Sequence, residues 1–153
     1  MKKIVIYTDG ACVGNPGPGG YGVMLIYKDH NKELSEGYKS TTNNRMELLA
    51  AIRGLTELKE PCDVEIYTDS MYVHNGIEKG WAKKWRQNGW RKGPKLREKA
   101  LNSDLWEKLL LLCDKHKVRM RYVAGHNGHP ENERVDYLAV SASRGKNLLE
   151  DTR

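Results

Sequence analysis

Phenylalanine is absent from this 153-residue chain, and cysteine is scarce, with only Cys12, Cys62 and Cys113. The three are odd in number, far apart and nowhere spaced CxxC, which excludes a disulfide framework and a cysteine-built zinc site. A reducing, cytoplasmic location is the expectation. Long apolar runs are missing too: the longest, 4–7 and 109–113, fall far short of the 18 or more residues a membrane helix needs. Lys2 and Lys3 precede the first run, but Asp9 ends it too early for the core of an export signal, so none is expected. No low-complexity tract or linker divides the chain. With 39% hydrophobic residues and bulk from four Trp and eight Tyr, it reads as one globular domain. No membrane partner is expected, and a monomer is the default.

Charge is the first feature that is present rather than absent. The chain carries 26 Lys and Arg against 20 Asp and Glu, a net +6, but the distribution is uneven. Residues 79–99 hold nine basic residues and one acid, Glu98, for a local +8, so the remainder is net −2. Trp81, Trp85 and Trp90 are interleaved with these charges, and Trp81 and Trp85 are one helical turn apart. Cations beside aromatic planes suit a sugar-phosphate backbone. That makes Trp81, Lys83, Lys84, Trp85, Arg86 and Trp90 candidate nucleic-acid contacts. A solvated charged face over mutually packed tryptophans is the structural alternative. Trp106, flanked by Leu105 and Leu109, reads as core.

Periodicity predicts strands at 3–8, 21–27, 33–40, 64–68 and 118–123. A turn over 29–31 joins the second to the third as an antiparallel hairpin. Helices are expected after a cap in 41–44, over 70–78, around Leu105, Leu109 and Leu112, and from Pro130 onward with Val135, Leu138, Ala139 and Ala142 inward. Gly89, Gly93 and Pro94 break any long helix in the basic segment. The order predicts an α/β fold, a mixed five-stranded sheet flanked by helices. Residues 1–144 form its domain, with a basic protrusion at about 80–99, and 145–153 are expected to be a flexible tail.

One short repeat points to chemistry. Ile6-Tyr7-Thr8-Asp9 recurs as Ile66-Tyr67-Thr68-Asp69, each ending a predicted strand in the same phase. If those strands are parallel neighbours, Asp9 and Asp69 meet at the carboxyl edge of the sheet, where open α/β sheets hold ligands. Their repulsion calls for a cation. Taken singly, Asp9-Gly10 also reads as a turn and Asp69-Ser70 as a helix cap. Glu47, three residues after Asn44, also fits a capping box, and Asp136 also fits a solvated helix surface. His126 stands in a loop before the last helix, in the pH range of a proton shuttle or simply exposed. Four acids without a cysteine suit Mg²⁺ or Mn²⁺ better than zinc. Two such ions would stabilise the attacking and leaving oxygens of a phosphodiester hydrolysis.

The stretches YTDGACVGNPGPGGYG, TTNNRMEL, YTDSMYV, the Trp-rich basic segment and GHNGHPENERVD together resemble type 1 ribonuclease H, the bacterial ribonuclease HI family. They follow the family's order up to about Arg144. The resemblance implies a ribonuclease H-like fold and a magnesium-dependent endonuclease that cuts the RNA strand of RNA:DNA hybrids. It implies Asp9, Glu47, Asp69 and Asp136 as catalytic carboxylates holding two Mg²⁺, with Mn²⁺ as a substitute. The products would end in 5′-phosphate and 3′-hydroxyl. His126 would assist proton transfer or product departure. Asn15, Asn43 and Asn44 would face the hybrid, partly through 2′-hydroxyls. Thr42, with Asn15, would seat a phosphate of the DNA strand, and the 81–91 region resembles the basic protrusion that grips that strand. Three positions depart from the family pattern: Met71 where many relatives have Gln, Ser40 where some have Arg, and Asn127 in place of a small residue. The competing expectations are a non-cleaving hybrid-binding module and another nuclease of the same fold.

Overall fold

The computed structural model describes residues 1–124 and 129–152. Three long strands open the chain: β1 (Lys2–Cys12), β2 (Gly17–Tyr27) and β3 (His30–Thr41). They form an antiparallel meander, closed between β2 and β3 by the two-residue turn Lys28-Asp29. That turn is one residue tighter than the sequence suggests, and Lys28 meets it at φ 54°. Next come α1 (Asn43–Thr56), β4 (Cys62–Thr68), α2 (Met71–Glu78) and α3 (Trp81–Gln87). A ribbon of two-residue strands, β5 (Arg91–Lys92) and β6 (Glu98–Lys99), precedes α4 (Ser103–Lys115), β7 (Lys117–Tyr122) and α5 (Pro130–Ser143).

The main sheet has the order β3-β2-β1-β4-β7, with β4 parallel to both β1 and β7. It is the mixed five-stranded sheet that the pattern predicts. Alternation sends Ile4, Ile6, Val23, Val64 and Ile66 to one face, where they are buried with Leu48, Ala51 and Leu55 of α1. α4 closes this layer with Leu105, Trp106 and Leu109. Trp106 is fully buried, and its indole N–H donates to the Tyr72 hydroxyl at 2.8 Å, so its one polar atom is satisfied.

The opposite face carries α5. Its approach depends on Gly22: a Cβ there would stand 2.3 Å from the Val135 carbonyl oxygen and 2.8 Å from Leu138 Cβ. The absence of a side chain lets the helix lie against the backbone of β2. Gly22 is also the register partner of Asp9, so this contact brings α5 to the strand position where Asp9 stands.

The chain end differs from the expected loose tail. Leu149 donates to the Gly37 carbonyl and accepts from Lys39 N–H, both at 2.8 Å, in a parallel bridge beside β3. Asp151 is then drawn into a buried ion pair with Arg45, 2.7 Å away. β3 is an edge strand with unpaired backbone groups, and a buried cation waits beyond it; both give the tail something to bind.

Candidate active site

β1 and β4 run side by side with Ile6 opposite Ile66 and Tyr7 opposite Tyr67. The repeat therefore lies in register, and Asp9 and Asp69, two residues on from the tyrosines, reach the same sheet edge. The competing readings of each acid lose ground locally. β1 continues as strand through Cys12, so Asp9-Gly10 is not a turn. The cap of α2 is Ser70, whose hydroxyl accepts from Val73 N–H at 3.1 Å, which leaves Asp69 out of that role. The cap of α1 is Thr42, accepting from Arg45 N–H at 3.3 Å, and Glu47 lies too far into the helix to answer it as a capping box.

One carboxylate oxygen from each of Asp9, Glu47 and Asp69 lies within 4.8 Å of the others. Asp9 and Glu47 are buried, and Asp69 is half-buried. Asp136, half-buried on α5, approaches Asp9 closely enough to share a hydrogen bond. All four predicted acids are thus brought together, from β1, α1, the end of β4 and α5. Asp9 Oδ1 accepts from Gly10 N–H at 2.8 Å, but Glu47 Oε1 and Asp69 Oδ1 are buried with no hydrogen-bond partner among the described residues.

This arrangement is costly for the protein alone. Burial, then the charges of Asp69 and Asp136, pushes the Asp9 carboxyl well above the usual carboxylate range. Burial, then the charges of Asp9 and Asp69, does the same to Glu47. Orphaned buried oxygens in a like-charged cluster are what a cation satisfies, and an all-carboxylate donor set suits a hard divalent ion. The residues present fit such an ion.

Asn132, Thr8 and Val135 line the small cleft beside Asp9 and Asp69. Asn132 is buried one turn before Asp136 on α5, and the sequence reading missed it. Its i, i+4 spacing from Asp136 is the signal that places both on one face.

Around the carboxylates, the other predicted contacts fall into two groups. Asn15, Thr42, Asn44, Arg45, Asn102 and Ser103 line a depression at the start of α1, and Asn15 Oδ1 accepts from Asn43 N–H at 3.3 Å. Asn102, also unforeseen, bridges Arg45 and the Tyr72 hydroxyl. In the protrusion, Trp81, Lys84, Trp85, Arg91, Lys92 and Leu96 line a groove. Trp81, Lys83 and Lys84 are exposed. Trp85 and Trp90 are half-buried against the core, Trp85 with its ring edge-on to Trp106 at 6.0 Å. Arg86 leans towards Asp114, 3.8 Å away. Met71 is exposed one residue past the Ser70 cap. His126 lies outside the described residues.

A family model described as RNase H matches residues 1–144. The chain belongs to the RNase H family. It is 64% identical over 153 residues to a ribonuclease H of Desulforamulus reducens, covering all of this chain and 95% of that one. It is 54% identical over 151 residues to a ribonuclease HI of Synechocystis, covering 98% and 93%. Among solved structures it resembles LC9-RNase H1, a type 1 RNase H with the type 2 active-site motif, at TM-score 0.83 and 31% identity over 96% of this chain and 74% of that one. It also resembles LC11-RNase H1 in complex with an RNA/DNA hybrid, at TM-score 0.66 and 26% identity over 92% and 96%. The RNase H family is metal-dependent, and Asp9, Glu47 and Asp69 form a group of carboxylates that could hold a metal ion.

Proposed function

We propose that this chain is an endonuclease that hydrolyses the RNA strand of RNA:DNA hybrids, leaving 5′-phosphate and 3′-hydroxyl ends. The observation that carries the reading is the convergence of Asp9, Glu47 and Asp69, with Asp136 beside Asp9. These four side chains would hold two Mg²⁺ ions, with Mn²⁺ as a substitute. When bound, such ions supply activation of water and stabilisation of the attacking and leaving oxygens of an in-line displacement.

The chain's own groups do the rest. Burial keeps the carboxylates dry enough to hold divalent charge firmly, and the Gly10 N–H orients Asp9. Asn15, Asn43 and Asn44 offer amide donors and acceptors suited to 2′-hydroxyls in a wide minor groove, which is how RNA is told from DNA. Thr42 and Asn15 seat a phosphate of the DNA strand, and Trp81, Lys83 and Lys84 grip that strand further along, with Trp85, Arg86 and Trp90 behind them. His126 assists proton transfer or product departure. Contacts to backbone and groove shape give little sequence preference. The protein works as a cytoplasmic monomer.

The test is digestion of labelled RNA:DNA hybrid, duplex RNA and duplex DNA, with Mg²⁺ and with EDTA. Cutting of the hybrid's RNA strand alone, stopped by EDTA, is expected. Binding without product would mean a non-cleaving hybrid module, and efficient cutting of duplex DNA would mean another nuclease of this fold.

A further inference from the structure

Arg45 is a buried cation in the first turn of α1, with its side chain 3% exposed. Its Nε and Nη2 donate to Asp151 at 2.7 and 3.1 Å, and its Nη1 and Nη2 donate to Asp104 at 2.9 and 2.7 Å. Asp151 is itself buried, and its carboxylate also accepts from the Thr41 hydroxyl at 2.7 Å. The family match ends at residue 144, so this anion comes from a segment beyond the matched domain.

What Arg45 holds is the turn that faces the nucleic acid. Asn43 and Asn44 are exposed, and the neutral hydrogen bonds that secure this turn from side chains are long: Thr42 to Arg45 N–H and Asn15 to Asn43 N–H are both 3.3 Å. The bidentate, charge-assisted contacts of Arg45 are the strong ones. The following turn is secured differently. A Cβ on Gly10 would stand 2.6 Å from Glu47 N and 2.8 Å from Met46 C, so the backbone carrying Glu47 is seated directly on β1.

We propose that Asp151 is a positioning residue for hybrid binding: acting through Arg45, it fixes Thr42, Asn43 and Asn44 while leaving the Glu47 backbone to its own seat on Gly10. The inference rests on the hybrid-cleavage reading. It separates two functions along one helix, binding in the first turn and chemistry in the second.

The experiment compares the full chain with Asp151→Asn and Asp151→Glu. Asparagine keeps the shape and loses the charge, whereas glutamate restores a carboxylate. Hybrid affinity in EDTA, KM and kcat with Mg²⁺, and amide hydrogen exchange over 42–47 and 104–110 are read well below each melting point. For Asp151→Asn, KM and the EDTA Kd should rise roughly tenfold, about 1.4 kcal/mol. Its kcat should stay within about twofold, and exchange should quicken in 42–47 but not in 104–110. Asp151→Glu should move KM back towards the parent. Unchanged KM and Kd in folded Asp151→Asn would overturn the inference, as would a joint fall of kcat and affinity, which means the tail merely holds the whole site together. Loss of folding in Asp151→Asn would likewise make the role purely structural. A parent chain that neither binds nor cuts the hybrid would instead remove the functional reading beneath it.

Discussion

Tyr7 and Tyr67 are register partners in the parallel pair β1 and β4, and their rings stack at 4.9 Å between centroids with 15° between planes. The stack lies two residues before Asp9 and Asp69. It locks the relative height of the two strands at the place where a slip of one residue would turn one carboxylate to the other face of the sheet.

Asp9→Asn should abolish hybrid cleavage and, in EDTA, make the protein more stable. Asparagine is neutral at every pH, so the cost of holding a buried carboxyl protonated among other acids, on the order of 1–3 kcal/mol, is removed. Thermal melting with EDTA and a cleavage assay with Mg²⁺ check both halves. A variant that cuts like the parent would remove Asp9 from the chemistry.

The raised carboxyls of Asp9 and Glu47 give a pH dependence with a definite sign. In the unfolded chain both ionise near pH 4, while in the metal-free fold both keep their protons to higher pH. Above pH 4 the folded state therefore binds more protons, and stability falls as pH rises towards the raised values. A divalent cation should erase that fall and release protons as it binds. Melting curves against pH with EDTA or Mg²⁺, and calorimetry in buffers of different ionisation enthalpy, measure this. Metal-free stability that climbs over the same interval would contradict it.

Gly22→Ala should separate α5 from β2. The added methyl meets the Val135 carbonyl at 2.3 Å, so the helix must move and carry Asp136 away from Asp9. A stability loss of about 1–3 kcal/mol is expected from the overpacking, and a fall in kcat of roughly a hundredfold from the misplaced carboxylate. Melting and turnover with Mg²⁺ read the two effects. Normal turnover would mean that α5 need not lie so close.

In the protrusion, Lys83→Ala with Lys84→Ala should make hybrid binding less sensitive to salt, lowering the slope of log affinity against log salt by about one to two. Arg86→Ala should change it less, because Asp114 stands 3.8 Å from its guanidinium. Binding titrations across a salt series give the slopes. An unaltered slope for the lysine pair would point this face away from the nucleic acid.

How much of this the sequence discloses depends on the range of each interaction. The strand repeat announces Asp9 and Asp69 because register is a local, period-two property that survives into the sheet. The place of Trp106 in the core is equally plain from its leucine neighbours. Asp151 is not legible, because its meaning comes from an arginine 106 residues away and the local sequence looks like any polar chain end. The β5–β6 ribbon escapes for the opposite reason: two residues per strand carry no periodicity, and Trp90 enters it at φ 64°, which no propensity suggests. Asn132 hides among ordinary helix polar residues until the fold shows it buried beside Asp69.

The bridge of Leu149 to β3 also guards the molecule against its own kind. β3 ends the sheet, and along Gly37 to Lys39 the docked chain end occupies backbone groups that a second molecule would otherwise zip onto. Further along the same strand, Lys32 and Glu33 set opposite charges on the uncovered stretch. Clipping the chain after Arg144 would strip that guard, and concentrated solutions of the shortened form should stick together through strand pairing.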